Sequence, residues 1–272
     1  MRDFTLSSYK NLLHSFLQAG YKITSFEQYL DSRPVGKVLV LRHDVDLRPY
    51  NSVATAEIEH SLGITASYYF RIVKASNVPD AIRRIVSLGH EIGYHYEDMA
   101  ICNGDKVKAI SNFEANLEYF RSFYPVRTIC MHGVPTNRYD GRDLWRDSNG
   151  YKNQGGRYDY RSYGIIGEPY FGINFNSVFY LTDTGCRWDG FRVSLRDKVP
   201  QQDEWVRKGW VYHSSWDIAR AVKAAEPPFD GAVMMTTHPQ RWTDQSLPWL
   251  KEQSVQRVKN IIKRAMIWAG GL

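Results

Sequence analysis

The stretch Lys37-Val-Leu-Val-Leu-Arg-His-Asp-Val-Asp46 runs from an apolar segment straight into charge. Val38 to Leu41 reads as a strand buried on both faces. Side chains alternate along a strand, so Asp44 and Asp46 share one face while His43 and Val45 take the other. Two neighbouring carboxylates repel each other. Such a pair persists where a metal, a cation or a shared proton relieves it. The plainer alternative is a helix-capping Asp with a salt bridge to Arg42, and the spacing alone leaves both open. Other strand ends carry similar chemistry: His95 and Glu97, then His132, and finally Thr-Thr-His238-Pro.

These groups converge if the strands that carry them are parallel. Strand patterns at 38–45, 64–72, 91–97 and 126–131 alternate with helix patterns at about 50–62, 78–88 and 105–123. Strict alternation implies parallel strands joined by right-handed crossovers. Ligands in such folds bind at the carboxyl ends of the strands. Asp44 with Asp46, His95 with Glu97, and His132 are therefore expected on one rim. Residues 1–34 read as a helical preface. Val178–Leu181 and Ala232–Thr236 read as later strands, residues 194–212 as irregular, 215–225 as a helix, and 247–270 as a long amphipathic helix that covers the fold or pairs with a partner. Residues 133–163 break the alternation with five Arg and five Tyr. A loop of that length is usually functional or mobile. The plain alternative is an insertion with no role, and the expectation is that it closes over an anionic or phosphate-linked sugar. Arg138, Tyr139 and Arg157 are its candidate substrate contacts, because Arg pairs with phosphate and Tyr stacks on sugar rings.

Composition narrows the partners. The chain has 272 residues, 43% of them hydrophobic, which is enough for one domain with a sizeable core. The net charge of +6 comes from scattered basic residues, not from a block, so nucleic acid is not an expected partner. An anionic substrate or membrane surface stays open. There is no run of 18 apolar residues for a membrane span and no apolar core of a signal peptide near the start. Cys102, Cys130 and Cys186 are odd in number and far apart, which suggests reduced thiols and a cytoplasmic location.

Taken together, His43-Asp-Val-Asp46, Gly89-His-Glu-Ile-Gly-Tyr-His95, Met131-His-Gly-Val-Pro135 and Met-Thr-Thr-His238-Pro resemble the polysaccharide deacetylase family, the NodB-type carbohydrate esterases. The variant resembled occurs in bacterial surface-polysaccharide and O-antigen biosynthesis, and the similarity covers roughly residues 36–245. The resemblance implies a single-domain α/β fold, a distorted (β/α) barrel of about seven parallel strands. It implies removal of an acetyl group from a sugar, or from a sugar on a carrier, with one divalent metal, zinc by expectation. Asp44 would then be the general base, Asp46 and His95 metal ligands, and His238 the general acid. Asp183 and Trp188 resemble a motif in which an Asp orients the catalytic histidine and a Trp walls the acetyl pocket, and both count as substrate-side residues.

Two positions depart from the family pattern. The second metal histidine is expected four residues after His95, where this chain has Met99, an unsuitable ligand for such a cation. Glu97 is the expected replacement and Asp98 the next candidate. His132 stands where the family carries an arginine that pairs with the base, so it either orients Asp44 or binds the metal. Two other functions fit the same residues: hydrolysis of a non-sugar C–N bond on this scaffold, and a metal-free glycan-binding module. Metal content separates the last from the others.

Overall fold

The structure is a computed structural model that describes residues 2–133, 137–147, 149–194 and 199–268. Its strands are β1 (Lys22–Thr24), β2 (Val38–Val45), β3 (Ser67–Phe70), β4 (Glu91–Tyr96), β5 (Ile129–Met131), β6 (Val178–Thr182) and β7 (Ala232–Thr237). The helices are α1 (Leu6–Gln18), α2 (Phe26–Ser32), α3 (Pro49–Ser61), α4 (Pro79–Ser87), α5 (Asp98–Ile101), α6 (Lys106–Arg121), α7 (Pro169–Gly172), α8 (Gln202–Arg207), α9 (Ser215–Ala224) and α10 (Ser246–Trp268). The strands form one parallel sheet in the order β5-β4-β3-β2-β7-β6, with β1 beside β2. It curls into a half-barrel. β1 pairs with Val38–Val40 and β3 with Arg42–Val45, so both share one edge of β2. The helical preface thus contains a strand, three residues long and too short for a period of two to show. Similarly, the stretch expected to be irregular holds α8, with Trp205 buried.

β2 is the sheet's centre and is buried at every position. Its two faces differ in chemistry. One carries Arg42 and Asp44 toward the rim described below. The other carries His43 into a sealed polar network beneath α1 and α3. There His43 Nε2 meets Glu59 Oε1 at 2.7 Å, and Thr237 Oγ1 lies 2.6 Å from His43 Nδ1. Tyr9 donates to the same Glu59 oxygen, and Tyr68 donates to Oε2 at 2.8 Å. His90 Nε2 bonds the Ala56 carbonyl at 3.0 Å and its Nδ1 accepts from the Ala66 N–H at 3.2 Å, which makes the ring the neutral Nε2–H tautomer. A satisfied network of this kind fixes the seating of α1 and α3 on the sheet.

The network should make the fold acid-sensitive. Burial pushes His90 below its ordinary value, more than Glu59 pulls it up. The unfolded chain therefore binds a proton that the folded chain refuses, and stability falls as pH drops from about 6.5. Burial alone would raise Glu59, but His43, His90 and the Tyr9 hydrogen bond outweigh it and hold the carboxyl low. Its contribution is present above the ordinary carboxyl range and is lost as pH falls through that lowered value. Urea unfolding should show both losses between pH 7 and pH 3. Glu59→Gln should cost about 2 kcal/mol at pH 7 and should remove the lower loss. An unchanged low-pH loss in that variant would exclude Glu59 as its source.

Two further features shape the rim. A Cβ on Gly93 would overlap the ring of Tyr69, whose hydroxyl is tied to Thr128 Oγ1 at 2.9 Å, so the second glycine of the Gly-His-Glu-Ile-Gly motif is required by packing. The described part of the 133–163 segment is packed onto the fold. It forms short 3-10 helices at Gly141–Trp145 and Tyr160–Tyr163, with Trp145 buried edge-on against Phe113 at 4.8 Å and Tyr96 at 6.0 Å. Val134, Pro135, Thr136 and Ser148 lie outside the described residues.

Candidate metal centre and its surrounding groups

Because the strands are parallel, β2, β4, β5 and β7 end on one rim. Each contributes. Asp44 lies in β2 and Asp46 just beyond it, His95 lies in β4, His132 follows β5 and His238 follows β7. The His132 N–H donates to the Tyr96 carbonyl at 2.8 Å, so the chain leaving β5 is still tied to β4 and its imidazole stays beside His95.

Three donor atoms converge there. His132 Nδ1 lies 3.2 Å from His95 Nε2 and 3.1 Å from Asp46 Oδ1, and His95 Nε2 lies 3.7 Å from that oxygen. Ligands held about 2.0–2.1 Å from a tetrahedral ion stand about 3.3 Å apart, so this triangle has the size of one face of such a site. His95 Nδ1 bonds the Cys130 carbonyl at 2.9 Å, which leaves the Nε2 lone pair facing the cluster. Burial, against the pull of Asp44, lowers the His95 pKa to about 4, so the ring is neutral at pH 7. Asp44 Oδ1 is buried with no hydrogen-bond donor among the described residues, and Asp46 Oδ1 has His132 Nδ1 at 3.1 Å but no well-aligned hydrogen bond. Buried polar atoms normally have partners, and these two carboxylate oxygens beside two imidazoles fit a cation. Burial alone would raise Asp46, but His132, His238 and His95 outweigh it and hold the carboxyl well below its usual range. Asp44, His95 and Cys130 form a second possible group. Its sulfur, however, already accepts from Arg42 Nη1 at 2.7 Å.

Asp44 has a different neighbour. The buried Arg42 reaches its Oδ2 at 3.5 Å, donates to Thr236 Oγ1 at 2.6 Å, and extends Nη2 to the hydroxyls of Tyr170 at 3.3 Å and Tyr180 at 3.4 Å. The cation beside Asp44 is therefore Arg42 and not residue 132. On the opposite side of Asp46, His238 Nε2 lies 3.9 Å from its Oδ2. His238 Nδ1 bonds Asp183 Oδ1 at 2.6 Å, and the His238 N–H donates to Asp183 Oδ2 at 2.9 Å. Asp183 also accepts from Arg241 Nη1 at 2.7 Å and Trp242 Nε1 at 2.7 Å. Burial and Arg241 act to lower the His238 pKa, but Asp183 and Asp46 outweigh them and raise it.

The remaining expected residues fall elsewhere. Glu97 is turned to Arg71, which grips both its oxygens at 2.9 Å and 2.8 Å, so His132 and not Glu97 completes the donor triangle. Asp98 is buried among Tyr94, Asn112 and Asn116 donors, away from the cluster. Asp183 is bonded to His238 as the motif implied, and since it is wholly buried it serves there and not as a substrate contact. Trp188 is buried between Phe4 and Trp242 and donates to Ser215 Oγ at 3.1 Å, which places it in the packing behind Asp183. Arg157 is held on α6 by Ser111 at 2.8 Å and Glu114 at 3.5 Å, and not at the rim. Tyr139 lies over the Gly104 turn, and Arg138 stacks on it. Arg241 and Trp242 are neighbours of the site that sequence reasoning left unassigned, and Arg42 was weighed there only as a salt-bridge partner, which it is. The signal was the spacing: Arg42 precedes Asp44 by two residues on its strand face, and Arg241 and Trp242 follow His238 within one 3-10 turn. No protein-family model matches this chain, and no curated protein matches it either.

Proposed function

We propose that this chain is a metal-dependent deacetylase acting on an acetylated sugar. One observation carries the chemistry: Asp46, His95 and His132 present an oxygen and two nitrogens to one point, between Asp44 on one side and His238 on the other. The motif resemblance supports the acetylated sugar and the barrel family. In this reading Asp46, His95 and His132 hold one divalent ion, with zinc favoured by the two imidazoles and one carboxylate. When bound, the ion supplies Lewis acidity at the acyl oxygen and at the attacking water.

The chain's own groups move the protons. Asp44, pinned through Oδ2 by Arg42, has Oδ1 free to take a proton from water as its oxygen attacks the acetyl carbon. His238 carries Nδ1–H against Asp183, so Nε2 faces the rim and delivers a proton to the leaving nitrogen. The C–N bond breaks, and acetate and the free amine leave.

Elemental analysis after zinc reconstitution should give close to one ion per chain. His132→Ala should weaken binding more than about 100-fold, beyond what loss of an outer partner of a ligand costs, while Glu97→Gln should keep the ion. A His132→Ala chain that retains metal would overturn the ligand set. A panel of N-acetylated sugars and nucleotide sugars tests the reaction, and no acetate from any of them with metal bound would overturn the deacetylase reading.

A further inference from the structure

α10 is seated with its polar side inward. Among the described side chains of α10, Glu252, Gln256 and Asn260, spaced four apart on one helix face, are the buried ones. Arg48 Nη1 pairs with Glu252 Oε2 at 3.2 Å, Gln256 donates to Glu252 Oε1 at 2.8 Å, and Asn260 Nδ2 donates to the Gly185 carbonyl at 2.9 Å. Arg48 follows β2 and Gly185 follows β6, so the helix lies across the rim that carries the candidate site. The aliphatic residues point the other way. Leu247 is 80% and Ile261 67% exposed, with Leu250, Val258 and Ile262 more than half exposed beside them. A continuous row of this kind is far from the scattered exposed Leu of an ordinary surface.

The charges along the helix identify what covers that row. α10 exposes Lys251, Arg257, Lys259 and Arg264, and its one acid, Glu252, is buried against Arg48. A second copy docked on this face would bring basic flanks against basic flanks, with no acid on the helix to answer them. An anionic lipid surface suits both features: acyl chains take the aliphatic row, and acidic headgroups take the ammonium and guanidinium groups. No described helix is long and apolar enough to cross a membrane, so the fitting arrangement is in the interfacial plane.

We infer that α10 docks the protein on an anionic membrane surface, with the rim of Asp44, Asp46 and His238 held beside the headgroups. The inference stands apart from the reaction proposed for the site. Its test is co-sedimentation with vesicles of phosphatidylglycerol and phosphatidylcholine in equal parts, against vesicles of phosphatidylcholine alone. The native chain should bind the mixed vesicles, and added salt should weaken binding. Lys251→Gln, Arg257→Gln and Lys259→Gln should each cost about fivefold, the worth of one basic residue at such a surface. Val258→Asp with Ile261→Asp should abolish binding, and because both sites are exposed the melting temperature should hold. Absence of binding to the mixed vesicles would overturn docking. So would a concentration-dependent dimer that Ile261→Asp dissociates in a chain that ignores vesicles. Metal content and acetate release are read separately, so a failure of the site chemistry leaves this result interpretable.

Discussion

Asp44→Asn should lower acetate release about 10²–10⁴-fold, the usual worth of a positioned general base, and should leave metal content unchanged. Asn keeps the volume and one carbonyl oxygen within reach of Arg42, but it removes the charge that answers the buried guanidinium and so should cost stability too. Metal content and turnover are therefore compared in the folded fraction. What is lost is the carboxylate's capacity to take a proton. The metal should stay because Asp44 lies outside the Asp46, His95 and His132 triangle, although its Oδ2 is 3.9 Å from His95 Nε2. Asp46→Asn is the counterpart and should lose metal and turnover together. The pair of variants separates base from ligand in one experiment, read by elemental analysis and by acetate release. If Asp44→Asn strips the metal while Asp46→Asn keeps it, the two roles are exchanged.

Arg42→Met should destabilise the fold by about 3–5 kcal/mol, the cost of removing one partner from a buried charge pair. Arg42 is among the largest fully buried side chains, and burial of its charge is answered by Asp44 with Cys130, Tyr170 and Tyr180 nearby. Met fills most of the volume but leaves the Asp44 carboxylate without its cation and Thr236 Oγ1 without its donor. Much of a total stability of 5–15 kcal/mol would go, and urea unfolding measures it. The double variant Arg42→Met with Asp44→Leu removes both charges and should recover a large part of the loss, since a buried pair replaced by apolar groups is often tolerated. No recovery would show that Arg42 acts mainly through its other contacts. Arg42→Met should also cut turnover in whatever fraction remains folded, because Asp44 loses the group that aims it.

Much of the site was legible in the chain because its placing is local. Asp44 faces the rim by strand alternation, Asp46 reaches it from just past β2, where its N–H bonds the Asp44 carbonyl at 3.2 Å, and parallel strands bring His95, His132 and His238 to the same rim by topology. The alternation of helix and strand likewise announced the sheet. Yet the seventh strand, β1, and the short helix α8 were missed, since three to six residues carry too little periodicity to stand out.

Which partner each group chooses was decided only by the tertiary structure. Glu97 was expected to share the face of His95, two residues before it. But β4 ends at Tyr96, and Glu97 has φ −141° and ψ 26°, so the alternation stops and its carboxylate swings to Arg71. His132 gains the vacated corner because one hydrogen bond to Tyr96 holds the chain beside β4 beyond the end of β5. Arg42 rather than residue 132 aims Asp44, a choice made by the side chains of β5, β6, β7 and α7 that surround it. For α10 the sequence determined an amphipathic helix, while only the docked fold showed that Arg48 and Gly185 draw its polar side inward and leave the aliphatic side out. A period along the chain fixes which residues lie together on a face. It holds no information on the neighbour that face meets, because that depends on register across strands far apart in sequence.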